Sequence, residues 1–576
     1  MSRSEAMVLV IDATGTHLPA LAAAVRRLPA GLRVEARSRD DLARPAALDA
    51  CVALAAQAAA LVLLPMGGSS SIPGRDRLVA AMAGRPVHVQ SGPMSSEEAG
   101  FARRACADFG SPAFALRQSY LRRGGADNLL ALLQMLFRDA GVDLPAPPPP
   151  ADRPTEGIYH PAWRGADDTA AYLAWARARH GNDAPVIGLW FHHNAWANGD
   201  LAAYDALIAE IEAQGGIALA VFHVRFPDRE LGNLTGRALV ERYFKCDGAG
   251  VLDVLLSTMS FSLARSGTNA EELFADLDVP VLQLVVTANS RAAWLASPQG
   301  LSPVDVSMQV AQPEFDGAVL GGVVATREVG VPDLATGASA IRRAPVEDRV
   351  RSVVAWALNW ARLRRTPPEA RKIAILFHHY PPKNHRLGCA FGLDSFASVK
   401  AILDRVAAEG YRVDRNYADG DALATELLSR LTNDRRFLAP RDMAARAAAA
   451  VDGETVARWH AELPEAMRDE MAARWGAPPG AAFCHAGKAL IGGIVDGNVF
   501  IGMQPSRVRE AGEGDALDFP DGGLIHDPYL PPTHHYLAYY RWLREAFGAH
   551  AVIHVGMHGT LEWLPGKSVE IGRAHV

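Results

Sequence analysis

Short apolar runs punctuate the chain, each followed by a polar or glycine-bearing loop and then by an alanine-rich stretch with helical spacing. Within residues 1–144, Met7–Ile11, Leu61–Leu64 and Pro86–Val89 read as buried strands, and Ala20–Leu28 and Asn128–Phe137 as helices. The pattern restarts at Pro185–Phe191, with a helix over Asp200–Ala213 and strands over Ala218–Val224 and Val279–Val286. It restarts again at Lys372–Phe377, with helices at Phe396–Glu409, Ala422–Leu431, Glu454–Trp475 and His535–Phe547, the last feeding a strand over Ala551–Val555. Such alternation predicts a multidomain α/β fold of several parallel-sheet units with flanking helices.

Prolines mark the boundaries. Pro145–Pro150 continues neither a helix nor a central strand and reads as an extended spacer. A long helix over Glu347–Arg365 stops before Pro367-Pro368. The predicted organisation is therefore an α/β domain over 1–144, a proline-rich linker over 145–156, a second α/β domain over 157–366 and a third body over 367–569. Ser302-Pro303 and Asp394-Ser395 read as helix starts, with a side-chain cap at each.

Composition narrows the function classes. With 576 residues and 49% hydrophobic content, the chain buries several cores. A net charge of -6 gives no basic field, which argues against a nucleic-acid partner. Five dispersed cysteines without a C-x-x-C pair fit a reducing cytoplasm. The N-terminus carries no signal-peptide pattern. The apolar stretch from Ala46 to Leu64 is interrupted by Asp49 and Gln57 and ended by Pro65, so a buried helix running into a strand is expected rather than a membrane span.

Side chains capable of chemistry gather at three places. The first follows the Ala551–Val555 run: His554, His558, Glu562, Trp563 and Lys567 lie on a glycine-punctuated loop at a strand end, where open α/β sheets hold ligands. His554 and His558 are candidate metal ligands, or alternatively loop histidines bonded to the backbone. Glu562 beside an indole is expected to be partly desolvated, which would raise its pKa towards proton-accepting duty; a solvent-facing helix-start glutamate is the plain alternative. The segment ends in Gly566-Lys567-Ser568, yet six residues separate Gly559 from Gly566 and Pro565 removes an N–H, so it is no phosphate loop.

The second place is His526–Tyr536, where prolines stiffen a loop rich in imidazole and phenol; His534 and His535 are further metal candidates. Tyr540 and Trp542, at helical spacing, are expected in the core. The third is Asn498–Arg507, a strand ending in Gln504-Pro505-Ser506-Arg507. Here Asn498, Gln504 and Arg507 are candidate substrate contacts, an ordinary surface arginine being the alternative for Arg507. Lys383, on the Tyr380–Gly388 loop after the Lys372–Phe377 strand, is another candidate contact.

These blocks, in this order, resemble the large subunits of cobaltochelatase and magnesium chelatase. The stretch His558–Lys567 is similar to the family signature HGTLEWLPGK, and the Asp527–Trp542, Asn498–Arg507 and Tyr380–Ser398 blocks each match a family motif. The resemblance runs from about residue 115 to Val569. It implies a tetrapyrrole-binding subunit that inserts Co²⁺ into the corrin-type macrocycle hydrogenobyrinic acid a,c-diamide. It also implies two smaller partner subunits, one an AAA+ ATPase that hydrolyses ATP with Mg²⁺. On that reading Glu562 accepts protons, with His558 beside it, while His554 and His558 deliver or steady the metal. Thr560, Trp563 and Leu564 favour the cobalt branch over a magnesium chelatase acting on protoporphyrin. A non-catalytic tetrapyrrole carrier and a zinc hydrolase built on His554 and His558 are the rival classes.

The resemblance also implies that the chain is cut short. The family signature continues past this point for several hundred residues, whereas Glu570–Val576 is the peptide that a sequencing adapter encodes when read in frame. Residues 570–576 are therefore expected to be an artefactual tail without function.

Overall fold

The computed structural model describes residues 6–90, 96–267, 269–507 and 527–567. His526 and the expected tail at 570–576 lie outside the described residues. Contacts divide the chain into two compact units, Met1–Ala296 with Leu301–Ala357, and Ser297–Gly300 with Leu358–Val576.

The first unit holds two sheets. One is fully parallel, with strands β1 (Met7–Asp12), β2 (Arg33–Ser38), β3 (Ala60–Leu64) and β4 (Val87–Val89) in the order β2-β1-β3-β4. β1 and β3 are buried along their whole length, which explains their unbroken apolar sequences. β2 alternates buried with half-exposed residues and so escaped the apolar-run pattern. The other sheet comprises β5 (Glu156–Tyr159), β6 (Val186–His192), β7 (Ile217–His223), β8 (Val254–Ser257), β9 (Val281–Val286), β10 (Val319–Pro332) and β11 (Ser339–Pro345). Its order is β11-β10-β9-β8-β6-β7-β5; the five inner strands are parallel and the two edges antiparallel. The proline-rich stretch is extended and fastened inside this unit, because Asn128 donates to Ala151 O at 3.0 Å and accepts Ala151 N at 2.9 Å.

The second unit is built on β12 (Ile373–Phe377), β13 (Gly493–Asp496), β14 (Val499–Met503) and β15 (Ala551–Val555), in the order β13-β14-β12-β15. β12 pairs in parallel with β14 and β15, so Phe377, Met503 and Val555 end side by side. Its alternate side chains feed two cores. Ile373, Ile375 and Phe377 pack with Val399, Leu403, Leu423 and Leu427, whereas Ala374 and Leu376 pack with Trp459, Ala538, Tyr539 and Trp542. The β13–β14 hairpin turns at Gly497-Asn498, where Gly497 has φ +59° and a side chain would meet Arg412 O at 2.5 Å.

Ser302 and Asp394 cap their helices as expected, accepting Asp305 N at 3.1 Å and Ala397 N at 2.9 Å. The helix expected over Glu454–Trp475 is instead two, Gly453–Ala461 and Glu465–Trp475, because Pro464 cannot extend the first and starts the second. The long helix is found at Glu347–Arg365, and the boundary between compact units falls within it. Among the described residues no helix is long and apolar enough to cross a membrane.

Candidate functional site

Parallel register brings three chain segments to one end of the β14-β12-β15 sheet: His378 after β12, Gln504 after β14 and Gly556 after β15. Close approach here depends on glycine. A Cβ at Gly556 would stand 2.5 Å from His378 Cβ. The loop then turns through a short helical turn, Thr560–Trp563, which carries Glu562.

Gln504 ties these segments together. Its backbone N–H donates to Phe377 O at 2.9 Å and its carbonyl accepts Asn433 Nδ2 at 2.8 Å. Its Oε1 accepts the Thr560 N–H at 2.7 Å, and its Nε2 donates to the Tyr540 hydroxyl at 3.3 Å. Because Tyr540 accepts that bond, its own proton is available to His554 Nε2, 3.3 Å away. Tyr536 closes the frame, its hydroxyl 3.0 Å from Thr560 Oγ1. Tyr536 and Tyr540 both sit on the His534–Arg541 helix, whose start Thr533 caps by accepting Tyr536 N–H at 3.1 Å. Burial pushes both phenols above their usual pKa, Tyr536 to about 12, so they remain neutral hydrogen-bonding groups.

On this frame stand three imidazoles and a carboxylate. His558 Nδ1 lies 3.3 Å from Glu562 Oε1. Burial, and then the neighbouring His558 ring, lower the proton affinity of His378, while Glu562 and the Gln504 side chain act in the opposite sense. The Nδ1 of His378 is buried without a partner among the described residues. His554 is crowded on one side, which lowers its pKa, and open to solvent on the other. Such an assembly offers nitrogen donors to a borderline metal ion and a carboxylate to a departing proton. Among the described residues no three His, Cys, Asp or Glu side chains already converge on one metal position. The donors are gathered but not closed into a cage.

The sequence-derived candidates separate into those the fold brings to this end and those it removes. His554, His558, Glu562, Trp563 and Gln504 are at it, and Lys383 lies on the loop that leaves β12 there. Glu562 corrects one expectation: 47% of its side chain is exposed, so the indole neighbour does not desolvate it. Lys567 donates to Ser297 O at 2.7 Å.

His534 and His535 are elsewhere and committed. Each is buried, and each donates Nε2–H to a backbone carbonyl, Gly476 O at 2.8 Å and Leu490 O at 2.9 Å. Burial pushes His535 down to about 4, and its ring stacks on Phe483. These contacts spend the Nε2 of each ring on the backbone. Arg507 is fully buried and donates to Asp527 O and Leu530 O, holding the following loop rather than facing a ligand. Asn498 sits at the opposite end of β14, donating to Glu369 O at 2.8 Å. It is remote from the strand-end cluster by the length of the strand.

Two residues of the cluster were missed by sequence reasoning. His378 follows directly on the apolar Ile373–Phe377 run, and its position at a strand end was the available signal. Tyr540 packs against the core as its helical spacing predicts, yet its hydroxyl reaches the site. Trp542 is simply core.

The geometry can be set beside known proteins. A family model described as CobN/Magnesium Chelatase matches residues 118–574. The aerobic cobaltochelatase subunit CobN of a Sinorhizobium species is 32% identical, the match covering 99% of this chain and 43% of that protein. A magnesium-chelatase subunit of Rhodobacter capsulatus is also 32% identical, over 79% of this chain and 37% of its own length. Among solved structures, the catalytic subunit of cobaltochelatase from Mycobacterium tuberculosis matches with a TM-score of 0.64 and 28% identity, covering 98% of this chain and 44% of that one. The chain thus spans less than half the length of these relatives. Matched by the family model over most of its residues, it belongs to the CobN/magnesium chelatase family.

Proposed function

We propose that this chain is part of the large subunit of an ATP-dependent cobaltochelatase that inserts Co²⁺ into hydrogenobyrinic acid a,c-diamide during cobalamin synthesis in the cytoplasm. Two smaller subunits, one an AAA+ ATPase using ATP with Mg²⁺, would drive the cycle; the chain itself has no G-x-x-x-x-G-K-[ST] motif. The observation that carries the cobalt reading is the grouping of His378, His554 and His558 at one strand end with Glu562 on His558. Imidazole suits Co²⁺, whereas Mg²⁺ prefers oxygen ligands and sheds water reluctantly.

In this reading the substrate metal is passed by His554 and His558 to the macrocycle, whose inner N–H must leave as a proton as the metal enters. Glu562 accepts that proton and His558, whose exposed ring lies 3.3 Å from it, returns it to solvent. Trp563 and Lys383 line the approach of the macrocycle. Residues 367–569 form the start of the chelatase body. Residues 1–144 and 157–366 are α/β domains preceding it, joined by 145–156.

The test follows the absorbance of hydrogenobyrinic acid a,c-diamide with Co²⁺, MgATP and the two smaller subunits. ATP-dependent appearance of the cobalt corrin supports the reading. Insertion of Mg²⁺ into protoporphyrin instead would move the chain to the magnesium branch, and tight macrocycle binding without metallation of either kind would make it a carrier.

A further inference from the structure

Two loops of the second unit are tied through their backbones to the strand-end cluster. The first leaves β12 at His378 and returns to it, the Gly388 N–H donating to His378 O at 2.9 Å. The second, residues 432–439, is joined to Gln504 by the amide of Asn433. A polar network locks the two loops to each other. Asp434 accepts the Asn384 N–H at 3.0 Å, and Thr432 donates its hydroxyl to Asn384 Oδ1 at 2.7 Å. Within the first loop, His379 donates Nε2–H to Lys383 O at 3.2 Å. Thr432, Asn433, Asp434 and His379 are all buried, and a buried network of this kind holds a loop in one shape.

What the loops display on that rigid base is cationic and aromatic. Lys383, Arg386, Arg435 and Arg436 stand on them, and within residues 380–393 and 432–439 the one carboxylate is Asp434, which Arg436 engages with Nε and Nη2, each at 2.8 Å. Four cations against one carboxylate leave this surface positive on a chain whose net charge is -6. Arg386 is exposed, and its side chain has no partner among the described residues. Phe391 is 93% exposed at the tip of a tight turn, where Leu393 N–H donates to Ala390 O at 3.3 Å and Gly392 takes φ +76°. Phe437 is 89% exposed, with the Arg436 guanidinium 5.5 Å from its ring centre.

Exposed rings beside guanidinium groups suit a ligand that is apolar across its face and anionic along its edge. We infer that these two loops form the rim of the macrocycle site, Phe391 and Phe437 meeting the ring while Lys383 and Arg386 meet carboxylates on its edge. The inference rests on the tetrapyrrole reading above and adds the feature of the substrate that the site selects, anionic side chains spread around the periphery. Hydrogenobyrinic acid a,c-diamide carries carboxylates on several sides of the ring, whereas protoporphyrin carries them on one.

The experiment titrates the full chain with hydrogenobyrinic acid a,c-diamide at rising NaCl, read by absorbance, beside the same compound with its carboxylates methyl-esterified. Wild-type affinity for the acid should fall with salt, and affinity for the ester should not. Arg386→Gln should weaken the acid about three- to fivefold at low salt and flatten its salt dependence, and Arg386→Glu should weaken it by about tenfold, with the ester unaffected by either. Phe437→Ser should weaken both forms to the same degree. Arg386 and Phe437 are exposed, so these variants should fold as the parent does. Parental affinity and salt dependence in Arg386→Glu and Lys383→Gln, in a protein that still metallates the diamide, would overturn the rim and leave the function standing. Parental binding with ATP-dependent insertion lost would also overturn it, giving the basic loops to an acidic surface of a partner subunit. A wild-type chain that binds neither form would overturn the tetrapyrrole reading as well.

Discussion

The hydroxyl of Tyr540 is held between the Gln504 amide and His554 Nε2, 3.3 Å from each. One proton therefore fixes the orientation of an imidazole on an edge strand. Tyr540→Phe should free the His554 ring and leave the buried Gln504 N–H unpaired, at a cost of about 1–3 kcal/mol. Urea unfolding reads the stability loss. The pH profile of metal insertion reads the imidazole, and its acidic limb should move towards the ordinary histidine range.

Glu562→Gln keeps the shape of the side chain and removes its basicity. The exposed His558–Glu562 pair contributes little to stability, so the variant should fold as well as the parent. Single-turnover metal insertion should fall by roughly 10²–10⁴-fold, the usual worth of a proton-transfer group, with macrocycle affinity retained. Insertion at the parental rate would remove Glu562 from the proton path.

Gly556→Ala forces a Cβ to 2.5 Å from that of His378. Overpacking of this kind costs about 1–3 kcal/mol, and here it also pushes His378 away from His558. Gly556 also holds φ +157°, which strains any side chain, so combining the change with His378→Gly should restore only part of the thermal stability and none of the activity.

Buried imidazoles give the chain a specific acid sensitivity. Burial holds His88, His193, His223, His379 and His535 at about 4 and His192 at about 3. A histidine whose folded pKa is depressed binds its proton more readily when unfolded. Its stabilising effect is full above the unfolded value near 6.5 and is lost as pH falls towards 4. Denaturant midpoints should be flat above pH 7 and drop steeply between pH 6 and 4, by several kcal/mol in sum, with proton uptake on unfolding in that window.

Asn498 supplies a control. It bonds Glu369 O at the far end of β14, so Asn498→Ala should lower stability by about 1 kcal/mol and leave macrocycle binding and metal insertion unchanged.

The apolar grammar of the sequence located β1, β3, β6, β7, β9 and β12, because an inner strand covered on both faces is continuously hydrophobic, but it passed over β8, buried throughout and only four residues long. Other strands stayed hidden because their sequences depart from that pattern. β2 alternates, β10 runs from buried residues into an exposed end, and β13 reads Gly-Ile-Val-Asp beside a turn. The site was legible as far as it is local. His554, His558 and Glu562 fall on one short stretch that resembles the family signature, and Gln504 follows directly on a strand. Arg507, His534 and His535 misled because polarity in a sequence does not say whether a side chain's partner will be a ligand or a backbone carbonyl. His378 was passed over because its neighbours at the site come from β14 and β15, more than a hundred residues away along the chain.

Gln504 touches the strand end before His378, the loop at Asn433, the turn before Glu562 and the phenol behind His554. A residue that joins four segments in this way, two through its backbone and two through its side chain, makes separate residues act as one mechanical body. Losses from single substitutions around it will not sum: once Gln504 is gone, removing Tyr540 should cost little more, and the energetic coupling between them, rather than either loss alone, measures how rigidly the centre is held.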